Sequence, residues 1–209
     1  MARERKAKSR DGNEVEFSRI VAFSDGVFSI AITLLVLNLH VDPGHADKLG
    51  HELWEQREQF LAYGISFAVI ARFWLVHHRF FGEVKAFDGR LIVLNMLYLG
   101  WIVLIPFSSQ VLGEYASQLP AIVIYSANLA IVVLVGQWMS WDARRAGLTT
   151  IDAETAEETL FRSMFVAGVF LLSIVVALFD ANIAPYTWLL LFVEGRTHIV
   201  RRVTRNRTR

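Results

Sequence analysis

The stretch Ser18–Leu39, SRIVAFSDGVFSIAITLLVLNL, decides the fold of this chain. From Val27 it runs VFSIAITLLVL with no alternation of apolar and polar residues. A block of about 20 such residues is what a helix needs to cross a hydrocarbon core of about 30 Å. Lipid offers no partner to bare backbone groups, so a spanning segment is a helix or a strand of a closed barrel. Barrel strands alternate over about ten residues. Neither this stretch nor FLLSIVVALF, starting at Phe170, does so. The reading is all-α: an integral membrane helical bundle.

Working outward, the same pattern recurs. Of the 209 residues, 54% are hydrophobic, and they fall into six apolar segments: about 18–40, 56–80, 91–112, 120–141, 159–180 and 184–203. Short polar or turn-rich connectors separate them, such as Asp42-Pro43-Gly44, Asp88-Gly89, Gly113-Glu114 and Asp180-Ala181-Asn182. No soluble domain or repeat stands out, so residues 1–209 read as one six-helix domain with basic tails at about 1–16 and 204–209. The first apolar stretch is too long for the h-region of a cleaved signal and has no small-residue cleavage site after it.

Basic residues orient the bundle. With the N-terminus cytoplasmic, all of the 21 Lys and Arg except Lys48 and Arg57 fall on the inner side. The opposite orientation inverts that bias, so both termini are expected in the cytoplasm. The outer loop then holds Asp42, Asp47, Glu52, Glu55 and Glu58 with His40, His45 and His51. Their spacing fits no recognisable metal motif, and a solvated loop explains them. The chain has no cysteine, which removes disulfides, thiolate metal sites and cysteine nucleophiles. Six histidines, three of them in one outer loop, are too few for the spaced histidine boxes of a membrane di-iron enzyme. No enzyme is expected, and no cofactor. Nucleic-acid binding would need a soluble fold to present the basic tail, which reads instead as an anchor at anionic lipid.

Arg-x-x-x-Phe-Ser-Asp at Arg19, Phe23, Ser24 and Asp25 resembles the signature of the transmembrane protein 175 family, potassium-permeable channels of lysosomes and prokaryotes. The likeness extends to FWLVHHRFF (Phe73–Phe81) and LNMLYLGWIVLIPF (Leu94–Phe107) and is mainly topological in the second half. One six-helix unit per chain fits the prokaryotic members. The resemblance implies a homotetramer in a prokaryotic plasma membrane, with the first helix of each subunit lining a central pore for K⁺ and no selectivity loop. It also implies a constriction of large apolar side chains, here Ile30 with Leu34 and Leu37, and Thr33 as the hydroxyl nearest that ring.

Helix geometry divides the motif. At about 100° per residue, Phe23, Gly26, Thr33, Leu34 and Leu37 fall within about 60° of Ile30. That stripe can form a seam around an axis, which one six-helix unit cannot surround alone, so an oligomer is expected on physical grounds. Asp25 projects roughly 140° away and Ser24 roughly 120° away on the other side, toward neighbouring helices. An aspartate inside a membrane helix needs a partner, and Trp74, His77, His78 and Asn95 are the candidates, with contact between Asp25 and a histidine expected. Ser24 and Asp25 then act as struts for the pore helix. The alternative is a proton-coupled transporter or proton pathway that uses Asp25 and the histidines, although inverted repeats and broken midplane helices are not evident. Arg19 projects near the stripe and either snorkels to headgroups or pairs with Glu14, Glu16 or Glu194. Pro106 should kink the third helix, with Ser108 or Ser109 meeting the freed carbonyl. Asn95, Asn128, Gln137 and Ser173 read as interhelical hydrogen-bonding groups. Trp54, Trp74, Trp138, Trp141 and Trp188 read as an interfacial belt.

Overall fold

A computed structural model describes residues 2–40 and 49–191, apart from the side chains of residues 2–14 and 52. Helix α1 (Ala2–Leu34) begins well before the apolar block, because Arg, Lys, Glu and Ala favour the helix and no proline interrupts it. Only Val15–Asn38 is apolar enough to cross a membrane. Its last turn tightens to 3₁₀ over Leu35–Asn38. There the Asn38 amide donates to the Pro106 carbonyl at 3.1 Å.

After the short α2 (Leu49–Glu55) come α3 (Arg57–Gly82), α4 (Gly89–Ile102), α5 (Ile105–Glu114), α6 (Leu119–Arg145) and α7 (Ala153–Ala177). Among the described residues there are 5 helical stretches long and apolar enough to span, α4 and α5 together forming one of them. The sixth predicted segment enters as a 3₁₀ turn at Ala184–Leu189. The remainder of it, from residue 192, and the basic tail lie outside the described residues. Helix starts follow local chemistry. The Asp88 carboxylate caps α4 by accepting from Leu91 N at 2.8 Å, and Asp152 caps α7 through Thr155 N at 2.7 Å. Pro106 and Pro120 sit in the first turns of α5 and α6, where a missing N–H costs nothing.

The expected kink at Pro106 is a full break between α4 and α5. Asn128 of α6 fills it more than the neighbouring serines do. With its amide oriented to satisfy both sides, Asn128 donates to Trp101 O (3.1 Å) and accepts from Ser108 Oγ (3.1 Å) and Ile105 N (3.3 Å). Ser108 Oγ also lies 3.0 Å from Ile105 O. Buried backbone freed at a break is thus met by a side chain, as a bilayer demands.

Helix α6 is the spine of the core: Ile122, Tyr125, Leu129 and Val132 are fully buried. Tyr125 Oη and Ser109 Oγ both bond Ser66 Oγ, at 2.9 and 2.8 Å, tying α3, α5 and α6 together. Ser126 and Ser173 join α6 to α7 at 2.7 Å. Gly136 lets α6 approach the Tyr98 ring, where an added Cβ would lie 3.0 Å from Cε2. Gln137 is the exception among the predicted polar links, since its buried Oε1 has no partner among the described residues.

At the end carrying the α3–α4 and α6–α7 loops, the two loops pair: Lys85 N donates to Leu148 O and Thr150 N to Glu83 O, both at 2.9 Å. Gly147 supplies the left-handed residue that the second loop needs, with φ at 71°. The tryptophan belt is partial. Trp54, Trp138 and Trp141 are exposed, but Trp188 packs against Tyr125 at 5.3 Å and Trp74 turns inward.

Candidate functional site

Helix α1 has two unlike faces. Ser24, Phe28, Ala31 and Leu35 recur at four- and three-residue spacing and are buried against the bundle. Opposite them, Phe23, Gly26, Ile30, Thr33, Leu34 and Leu37 are exposed, Ile30 at 58% and Leu37 at 65%. An exposed stripe this apolar would be unremarkable on a lipid-facing helix. What sets it apart is how firmly its back is held.

Ser24 donates its hydroxyl proton to Ile20 O at 2.9 Å. Its oxygen therefore accepts from Asn95 Nδ2, also at 2.9 Å. That fixes the Asn95 amide, whose Oδ1 faces His77 Nε2 at 2.9 Å, so Nε2 carries the proton. Three helices, α1, α4 and α3, are joined in one chain of bonds whose members are all buried. An aromatic box holds the imidazole: Phe81 at 4.5 Å, Phe28 at 5.3 Å and Tyr98 stacked at 5.6 Å.

Asp25 has a different partner from the expected histidine. Trp74 Nε1 donates to Asp25 Oδ1 at 2.8 Å, and neither histidine hydrogen-bonds the carboxylate. His78 instead stacks on the Trp74 ring at 5.3 Å. The four candidate partners thus divide: Trp74 takes Asp25, Asn95 takes Ser24, His77 orients Asn95, and His78 backs Trp74. Physical reach explains the division, since the indole spans the gap to a half-buried carboxylate while His77 points into the core. Thr33 turns its hydroxyl proton back to Ile30 O at 2.9 Å, leaving its oxygen on the exposed stripe. Arg19 is exposed and pairs with no described residue; Glu194 and the Glu14 side chain lie outside the described residues.

Sequence reasoning missed Phe28 and Tyr98, which complete the box around His77. Phe28 had a signal, standing four residues after Ser24 on the same helix face. Sequence reasoning counted Arg72 with the inner-side charges, whereas the structure has it exposed and ten residues short of the end of α3.

A bundle of apolar helices, five stretches of it long and apolar enough to span, with its first helix pinned from behind and exposed in front, defines a polytopic membrane protein. Comparison with known proteins narrows the class. The family model described as "Endosomal/lysosomal potassium channel TMEM175" matches residues 19–106. A protein of Streptomyces collinus named as a potassium channel is 37% identical over 156 residues, covering 70% of this chain and 75% of that one. The mouse endosomal/lysosomal proton channel TMEM175 is 35% identical over 109 residues, covering 48% of this chain and 22% of its own. The crystal structure of a lysosomal potassium-selective channel TMEM175 homolog from Chamaesiphon minutus superposes with a TM-score of 0.72 at 28% identity, over 87% of this chain and 97% of that one. The chain belongs to the TMEM175 family.

Proposed function

We propose that this chain is the subunit of a passive K⁺-permeable channel, a homotetramer in which the exposed stripe of α1 from each copy lines the ion path. The carrying observation is the contrast on α1, open along Phe23, Ile30, Thr33, Leu34 and Leu37 and bonded behind through Ser24 and Asp25. Relatives that are named potassium channels supply the ion. Ile30, with Leu34 and Leu37, forms the constriction. Leu37 stands over Leu34 because the 3₁₀ turn brings residues three apart into line. A narrow apolar ring gates by dewetting and offers no carbonyl cage, so preference among cations is modest and Thr33 is the polar group closest to it. The protein is not an enzyme and needs no cofactor. It sits in a prokaryotic plasma membrane with both termini in the cytoplasm, where the basic ends favour anionic lipid.

Vesicle flux tests this. Ile30→Asn should raise cation flux and lower the preference for K⁺ over Na⁺. If Ile30→Asn and Ile30→Ala both leave flux at the level of empty vesicles, the chain is a scaffold. The vertebrate relatives' name favours a second reading, a proton pathway. A pH-sensitive dye in the same vesicles separates it: proton entry without unitary K⁺ current supports that reading.

A further inference from the structure

Two charges inside the membrane are left incomplete by a single subunit. Asp25 has one bond, to Trp74 through Oδ1, and its Oδ2 has no partner among the described residues. Arg72 is exposed and pairs with no described residue. It lies ten residues from the cytoplasmic end of α3, roughly 15 Å, and fifteen from the other end, roughly 22 Å. An arginine reaching about 6 Å toward the headgroups from there still ends short of them. An ion at this depth needs an opposite charge. Among the described acids of the spans, all but Asp25 lie within about six residues of the end of their span.

Helix geometry puts the two at one level. Trp74 touches Asp25, and Arg72 is two residues from Trp74, about 3 Å along the axis. Around α3, however, Arg72 is about 160° from Trp74. The exposed residues Gly64, Phe67, Leu75 and His78 lie between them. Asp25 and Arg72 therefore flank opposite edges of one bare helix face. A closed ring seats one flank of each subunit on the opposite flank of the next.

We propose that Arg72 of one subunit completes Asp25 of its neighbour, an ion pair repeated at every subunit interface. The inference rests on the oligomeric reading of α1 given above. It assigns the aspartate a second role: Trp74 holds it from within, and the neighbour's guanidinium neutralises it from without.

Because the chain has no cysteine, introduced thiols report cleanly. Ser29→Cys and Ala68→Cys lie one turn beyond Asp25 and Arg72 in the same direction, both exposed, and leave the ion pair intact. A short bis-maleimide should link residue 29 of one subunit to residue 68 of the next and close covalent tetramers on a denaturing gel. Either single variant can give dimers at most. In parallel, Arg72→Gln should lower the oligomer fraction in detergent severalfold, and Arg72→Lys should restore most of it. An intact oligomer with no adduct beyond dimers, unaffected by Arg72→Gln, overturns the ion pair alone. A wild-type protein that is monomeric by mass overturns both the pair and the oligomer.

Discussion

Replacing Asn95 with leucine tests the brace behind α1. Asn95 is fully buried and makes two interhelical bonds, to Ser24 and His77. Interhelical hydrogen bonds in membranes average about 0.6 kcal/mol, with a ceiling near 1.7. Two of them give roughly 1–3 kcal/mol. Ser24 keeps its bond to Ile20 O, but the His77 N–H is stranded in an aromatic box with no second hydrogen-bond partner among the described residues. The expected loss is therefore in the upper half of that range, about 2 kcal/mol, which for a chain of this size lowers Tm by roughly 4–8 °C. The decisive comparison is a cycle with His77→Phe. A phenyl ring keeps the packing on Phe28, Phe81 and Tyr98 and removes the stranded donor. Adding His77→Phe to Asn95→Leu should then cost less than His77→Phe alone, by about 1 kcal/mol of coupling. Thermal unfolding of the purified protein in detergent, followed by loss of the oligomer peak, reads all four corners. Additivity within about 0.3 kcal/mol refutes the brace.

Asp25→Ala should lower the yield of assembled oligomer; normal assembly with only selectivity altered would show that Asp25 serves the ions directly. Gly136→Leu should destabilise the bundle by about 1–3 kcal/mol through collision with the buried Tyr98 ring, seen as a lower melting temperature with unchanged helicity. Asp152 lies outside the spans, and its bond from the Thr155 backbone holds its carboxyl below the ordinary value of 3.8. A depressed folded pKa means that the cap stabilises above that value and loses its effect as pH falls through the folded one. The melting-temperature gap between wild type and Asp152→Ala should accordingly be full at neutral pH and close in acid.

The all-α class was legible because bilayer thickness and backbone hydrogen bonding leave few options for apolar runs such as Val27–Leu37. So was the division of α1, since angular position follows from residue spacing alone. Partner identity was not legible. Nothing in the spacing says that Asp25 takes the indole of Trp74 in place of an adjacent imidazole, because that choice depends on how far α3 is rotated against α1. The Pro106 break was foreseen as a kink, but its repair by Asn128 depends on α6 passing alongside, a tertiary fact. Arg72 was counted with the inner-side charges, as any orientation count would place it. Only its exposure on a bare face, deep in the span, separates it from an ordinary anchoring arginine.

The central claim, that the open face of α1 touches the ions, is tested most directly by single-channel recording on Ile30→Cys. A protein without native cysteines has no other thiol to react. Adding a positively charged methanethiosulfonate reagent during recording should cut the unitary K⁺ current of Ile30→Cys and leave wild type unchanged. A current that persists unaltered after confirmed modification of Cys at position 30 would place the ion path elsewhere.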